Sequence, residues 1–427
     1  MKLQLTAIAA ALALSSSMAM ATTIVSTNNL TYTSAGGGQG GGYGVDNDNT
    51  PIDDTAWGPT VGGGVGFPTN FQPDSAFNNY QTGPNGLDNM PGSTAAVGDN
   101  DSTITQTATG TTGNSASVLQ GGGDQNESNI TQNQSGTGDA LKADVIQNGT
   151  LNRSDITQDL STGGVANVIQ AGNENQSRVD QFGGDANGAS VTQVGVGHKS
   201  IVNQGVVGGG ADNNDAVAIQ FGSANQSYIR QQWDTNQALA VQVGNDGISH
   251  IKQAGSSNLA VLADDGSFNS SYILQGAAGT GDTNTALVGQ SGMDNDSYVS
   301  QLNGDNNFAG VAQLGTDGES DIFQNGSGNT ALVGQFGEGD VSFIIQNGNG
   351  KTATVLQDGV GIAGAEFNES FILQTGAGMH TATVSQTHNP ANGWNNISTI
   401  TQISSTVNAN ASVTQVGSGN RASTIQY

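Results

Sequence analysis

The sequence contains no cysteine, so no disulfide framework can hold it together. Charged residues make up 10% and aromatic residues 5% of the chain. The hydrophobic share of 34% is too low for one large bulky core. Basic residues are scarcest of all, nine Lys and Arg against 35 Asp and Glu. The resulting net charge of −26 would repel the phosphates of a nucleic acid, a poor partner for such a surface, so none is expected. The apolar stretch Leu3–Leu14 is the longest and is too short to cross a bilayer, so no integral membrane span is expected.

What is abundant is glycine, 65 residues, and a repeat. Three segments are expected. Residues 1–21 carry Lys2, the short apolar stretch and an A-x-A site at Ala19–Ala21, the pattern of a secretory signal peptide cleaved before Thr22. Residues 22–98 contain GGGQGGGYG, six Asp and no Lys or Arg, and they show no sustained periodicity. A flexible, mostly disordered segment is expected there, serving as a secretion-targeting or tethering arm or as a spacer. Residues 99–427 form one repeat array.

The array is anchored by Gln at 26 of 27 positions from Gln106 to Gln426, mostly 11 or 12 residues apart, with Asp264 the one substitution. Asn stands six residues before the anchor in 18 of the 27 units, and Gly stands two after it in 17 of 26. Four residues before the anchor, Ser and Ala alternate without a break from Ser102 until Ala422. Two before it, Ser-type units mostly carry Ile and Ala-type units mostly carry Val. The repeat is therefore a pair of units with two distinct strands. Steps from Ala-type to Ser-type units are tight, while most insertions, such as GVVGGGADNN at 205–214, lie on the opposite edge.

In N-x-[AS]-x-[VI]-x-Q, period two puts Asn, the small residue, the branched residue and Gln on one face of a strand. Seven residues at that period followed by a glycine turn exclude a helix. The expected fold is all-β: a flattened two-sheet parallel β-solenoid of about 13 strand-turn-strand rungs. Ala-type strands would stack into one sheet and Ser-type strands into the other. At ~4.8 Å per rung the body spans roughly 60–65 Å.

The glutamine phase then has a cause. A lone buried amide costs about 1–3 kcal/mol unless it is paired. Identical amides stacked in register donate to one neighbour and accept from the other. Gln193, Gln204, Gln220, Gln231, Gln242, Gln253, Gln335, Gln346, Gln357, Gln415 and Gln426 are the candidate self-assembly ladder, and Asn214, Asn225 and Asn236 are expected to stack likewise. The last unit, NRASTIQY, keeps the motif almost to the C-terminus rather than forming a cap, so end-to-end polymerisation is expected.

Units such as NRSDITQ (152–158), NQSRVDQ (175–181) and NASVTQVGSGN (410–420), and the closing Gln426–Tyr427, resemble the curlin repeat family, subunits of the curli amyloid fibres of bacterial biofilms. The resemblance covers about three quarters of the chain. It implies export through an outer-membrane secretion channel as an unfolded chain, then assembly at the cell surface from a nucleator subunit. It also implies that the block after the leader could serve in export targeting.

Other sites are weaker. His198, His250, His380 and His388 lack metal-ligand spacing. The GNDG turn at 244–247 does not belong to a tandem calcium nonapeptide. The repeat generates N-x-S triplets automatically, and no catalytic constellation stands out, so neither an enzyme nor a cofactor is expected. Tyr228, Tyr272, Tyr298, Phe343 and Phe371, with Leu274, Phe323, Ile345 and Leu373, should point outward from the Ser-type sheet as an exposed apolar strip.

The sequence thus leads to a secreted structural subunit forming curli-like extracellular fibres at the bacterial cell surface for biofilm and adhesion, whose main partner is itself. Assembly should quicken as pH falls towards the sequence pI of 4.1. The alternative is a monomeric β-solenoid surface-binding module of adhesin or ice-binding type.

Overall fold

The computed structural model describes Ala95 and residues 98–427, apart from 110–112, 137–138, 161, 206–210, 277–280, 360–367, 389–394 and 405–406. The expected leader, and the 22–98 block except Ala95 and Gly98, lie outside the described residues.

Every regular element among the described residues is a β-strand, and there are 27, from Asp101–Ala108 to Arg421–Gln426. They alternate between two parallel sheets. One holds the 14 Ser-type strands, the other the 13 Ala-type strands, each in strict sequence order. We call these the Ser sheet and the Ala sheet. The chain is a two-sheet parallel β-solenoid of about 13 turns.

Register is set by side-chain identity. Ser227 lies beside Ser200 and Ser249, Ile229 beside Val202 and Ile251, and Gln231 beside Gln204 and Gln253. The Ala sheet repeats this with Ala216 beside Ala189 and Ala238, and Gln220 beside Gln193 and Gln242. A slip of one residue would turn the whole inward set to solvent, which is why the pairing is so regular.

Between the sheets, Ala and Val of one meet Ile and Val of the other in one continuous core. Small residues keep that core thin. The Ser column is less comfortable. The hydroxyls of Ser128, Ser154, Ser177, Ser200, Ser227, Ser297, Ser320, Ser342, Ser370 and Ser398 are buried with no hydrogen-bonding partner among the protein groups around them.

At the turns after the Ala sheet the glycines also stack. Gly244 has φ +128°, and a Cβ added there would lie 1.6 Å from the carbonyl oxygen of Gly266 in the next rung. Only glycine fits. A second turn position, immediately before the Asn column, is also left-handed. It is filled by ordinary residues such as Glu174, Ala224 and Asp294, with φ of 59°, 55° and 55°. A lone left-handed L-residue costs roughly 1–2 kcal/mol. Backbone hydrogen bonds between equivalent turns, such as Ala224 N–H to Val196 O at 2.8 Å, hold it in place.

The outward strip departs from expectation. Tyr272 is 4% and Phe323 6% exposed, and Tyr228 and Tyr298 are also buried. The strip is not an open apolar surface in its middle rungs. Rings one rung apart pack together, stacked for Tyr272–Tyr298 with centroids at 5.0 Å and tilted for Tyr298–Phe323 at 5.2 Å. Leu274 and Ile345 pack into the same cluster. Phe343, Phe371, Leu274, Ile345 and Leu373 are half-buried.

Candidate functional site

The stacked amides are the chemically distinctive feature of the molecule. In the Ser sheet each Gln donates Nε2–H to Oε1 of the Gln one rung further on, from Gln106 to Gln426. The thirteen bonds are 2.7–3.0 Å long and the series has no gap. Gln204, Gln231, Gln253 and Gln346 all lie within it.

The second amide hydrogen crosses the core. Gln231 donates it to the carbonyl of Asp215 at 3.0 Å and Gln204 to that of Gly188 at 2.8 Å. In the other direction, Gln193 donates to Gln176 O at 3.0 Å and Gln220 to Lys199 O at 3.0 Å. Each acceptor is the first residue of the preceding strand in the opposite sheet. One amide therefore ties rung to rung and sheet to sheet. The second tie has no signature in sequence, because its acceptor is backbone.

In the Ala sheet the column runs from Gln120 through Gln193 and Gln220 to Gln242. It resumes from Gln290 through Gln335 and Gln357 to Gln415. Asp264 stands between. Its carboxylate accepts Oγ–H from Ser249 at 2.9 Å and from Ser271 at 3.1 Å, across the core. These two serines escape the fate of the ten above. Burial pushes the Asp264 carboxyl up to about 7, against some help from the two hydroxyls.

The Asn column copies the Gln column in part: side-chain amides join successive rungs in places, as Asn152 Nδ2 to Asn126 Oδ1 at 3.0 Å, but the column also bonds to backbone. Asn Oδ1 accepts the backbone N–H of the residue one rung on, as from Asn214 to Asn236 at 3.0 Å and from Asn225 to Gly247 at 2.9 Å. Asn Nδ2 donates to turn carbonyls, as Asn225 does to Phe221 at 2.9 Å and Gly244 at 3.0 Å. A shorter side chain at a turn lies within reach of backbone as well as of its copies. Where side chains do meet, as Asn214 Nδ2 with Asn187 Oδ1 at 3.3 Å, the donor points back toward the N-terminal rungs, opposite to the Gln ladder.

Substituted positions perform the Asn task. His198 Nδ1 accepts the N–H of Asn225 at 3.3 Å, and its Nε2 lies 3.2 Å from the Val194 carbonyl. His380 does the same with Ala409 and Thr375, at 3.2 and 3.0 Å. This pairing requires neutral imidazole with the proton on Nε2. Burial lowers both histidine pKa values. Lys351 is buried and donates Nζ–H to the carbonyls of Gly376 and Gly378 at 2.7 and 2.9 Å. Asp340 Oδ1 accepts N–H and Nδ2–H from Asn368, and burial pushes its carboxyl up to about 7. The other two histidines lie elsewhere. His250 is packed between Tyr228 and Tyr272 in the outward strip, where burial lowers its pKa to about 3. His388 is buried two residues after Gln386.

Among the described residues no three His, Asp or Glu side chains converge as metal ligands, and no helix is long and apolar enough to cross a membrane.

A parallel solenoid whose interior is knitted by amides of identical phase has the backbone spacing and side-chain stacking of a cross-β assembly folded within one chain. The family model of the curlin associated repeat matches residues 280–302, which include the strands Thr285–Met293 and Asp296–Leu302. A comparison with curated proteins finds no match.

Proposed function

We propose that the protein is a secreted structural subunit that polymerises end to end into curli-like extracellular fibres, and that its role is mechanical and adhesive rather than catalytic. One observation carries this reading. The Ser-sheet ladder reaches strands that no described strand covers, and it arrives there with complementary polarity. Gln426 has a donor left to offer beyond Gln402, and Gln106 has an acceptor to offer below Gln132. Edge strands with unpaired backbone groups are templates for another chain, and a head-to-tail contact that does not close generates a filament.

The family resemblance adds the setting: passage through an outer-membrane channel, start-up on a nucleator subunit, and residence in the matrix at the cell surface. The leader and the acidic block after it would serve export. Burial of Asp264 and Asp340 adds to the overall charge in favouring assembly at low pH, because both carboxyls are more readily buried when protonated.

Purified chain from Thr22 onward, incubated at pH 5 and pH 8, tests the proposal. Seedable fibres with a ~4.8 Å meridional reflection, forming faster at pH 5, are expected. A chain that elutes as a monomer for days at both pH values would overturn the proposal and favour a monomeric surface-binding module.

A further inference from the structure

The described body has an odd number of strands, 27, divided 14 to 13 between the sheets. That parity decides how a second copy can sit on its end. Going round the solenoid, each strand lies half a rung above the one before. At one end the final Ser-sheet strand, Arg421–Gln426, stands half a rung above the final Ala-sheet strand, Asn410–Gly417. The next half-rung position lies in the Ala sheet, directly on Asn410–Gly417.

At the other end, the strand that must come first is the Ser-type strand Asp101–Ala108, followed by Ser115–Gly121. Stacked without rotation, Asp101–Ala108 would lie on Arg421–Gln426, one Ala-sheet position would stay empty, and the facing edges of Asn410–Gly417 and Ser115–Gly121 would both be unpaired. A copy turned by 180° about the solenoid axis leaves no gap. Its Asp101–Ala108 continues the Ala sheet on Asn410–Gly417, and its Ser115–Gly121 continues the Ser sheet on Arg421–Gln426. The two sheets run in opposite directions around the rung, so the half-turn keeps every new pair parallel.

We infer that successive copies join with this half-turn, the Ala sheet of one running into the Ser sheet of the next. This rests on the polymerisation proposed above and specifies its geometry. A second observation points the same way. Ser-sheet strands carry Ser at the small position from Ser102 to Ser398, but the last one carries Ala422. In the half-turn junction that strand's new neighbour is Ala-type, and Ala422 meets Ala116. Both are half-buried parts of the core, open on the side where the copy would arrive.

The remaining columns close as well. Ile104, an inward residue left 43% exposed at the end of the body, lands on Val413. Gln415 meets Gln106 and Gln426 meets Gln120, so both amide ladders pass through the junction. The unrotated stack offers one advantage, Arg421 beside Asp101. A single solvent-exposed ion pair is a small return for an unpaired strand's worth of backbone hydrogen bonds in the Ala sheet. The half-turn joint advances about 65 Å per copy, 13.5 rungs at ~4.8 Å, and turns the aromatic face of the Ser sheet to alternate sides of the fibre.

Paired cysteines test this in a chain that has none of its own. Ser423 and Ser117 occupy matching outward positions of strands that adjoin only in the half-turn joint, whereas Ser423 and Thr103 adjoin only in the unrotated one. Neighbouring parallel strands bring such pairs within disulfide reach. Fibres of the Ser117→Cys/Ser423→Cys chain, oxidised after assembly, should run as a ladder of covalent multimers on a non-reducing gel. Those of the Thr103→Cys/Ser423→Cys chain should stay monomeric. Linkage through position 103, alone or together with 117, would overturn the half-turn. Electron microscopy of unaltered fibres gives a readout free of substitutions: a two-fold screw with a ~65 Å rise is expected, and a repeat without rotation contradicts it. Failure to form fibres at all would instead remove the polymerisation proposal itself.

Discussion

In the Ser sheet the amide column runs through all fourteen strands, while in the Ala sheet it stops at Gln242 and resumes at Gln290. The backbone pairing is the same on both sides of the break, with Asp264 in register between Gln242 and Gln290. Repeat fidelity is therefore not needed to form the sheet. It is needed to satisfy the buried amide, and where it fails the cost stays local. Gln242 Nε2 is left without a hydrogen-bond partner, and the facing sheet compensates by turning two serine hydroxyls onto the carboxylate. One column shows what the ladder contributes and the other shows what its loss requires.

The largest effect should come from making the first column resemble the second. Gln275→Leu removes the acceptor of Gln253 and the donor to Gln301 while keeping the side chain's bulk. With two buried partners orphaned, a loss of about 2–4 kcal/mol is expected in urea unfolding of the soluble chain. A loss under about 0.5 kcal/mol, the level of an ordinary surface substitution, would mean that the ladder is incidental to backbone pairing.

The converse is Asp264→Gln, which restores the missing amide. Burial raises the Asp264 pKa in the folded chain to about 7, so between the unfolded carboxylate range and that value the folded state holds the extra proton. Stability should then fall as pH rises from about 4 to about 7. Asp264→Gln should cancel that part of the fall, a gain of a few kcal/mol at pH 8 that shrinks towards pH 4. Parallel stability–pH curves for the two chains would contradict it. Asp340, raised for the same reason, leaves a residual slope of the same sign.

His198→Asn should act in the opposite pH direction. The Asn225 N–H needs an unprotonated Nδ1, and the folded-state pKa is lowered, so stability is lost as pH drops through the ordinary histidine range. The substitution should therefore raise the melting temperature at pH 5 and leave it almost unchanged at pH 8. Equal shifts at both pH values would remove the imidazole's role as an amide mimic.

The smallest effect separates two serines of one column. Ser227→Ala deletes a buried hydroxyl that has no partner and should be neutral or stabilising by up to about 1 kcal/mol. Ser271→Ala deletes the one hydroxyl within hydrogen-bond distance of both Asp264 Oδ1 and Gln290 Oε1 and should destabilise. Melting temperatures that move in the same direction would show that hydroxyl pairing does not distinguish them.

The columns were legible in the sequence because they repeat. Period two assigned the inward face, and Ser/Ala alternation divided the strands into two sheets before any geometry was known. What escaped had no residue signature. The left-handed turn position takes Glu174, Ala224 or Asp294 indifferently, because inter-rung backbone bonds fix its conformation. The amide's second bond ends on carbonyls such as Asp215 O, which every residue possesses. Both columns are amides, and Asn side chains do bond to their copies in places, but one methylene fewer also brings them onto the turn backbone. His198 and His380 have no metal-ligand spacing in sequence. Their phase, six residues before Gln204 and Gln386, was the informative feature. For outward rings such as Tyr272, alternation gives direction and not cover, and the ring is buried all the same.

The most direct measurement is a fibre reconstruction from electron cryomicroscopy at side-chain resolution. Each chain should climb through successive rungs, with Gln346, Gln374 and Gln402 superposed in one unbroken interior column and Asp264 as the lone interruption of the other. Chains lying flat, one per ~4.8 Å layer, or those glutamines turned to solvent, would contradict it.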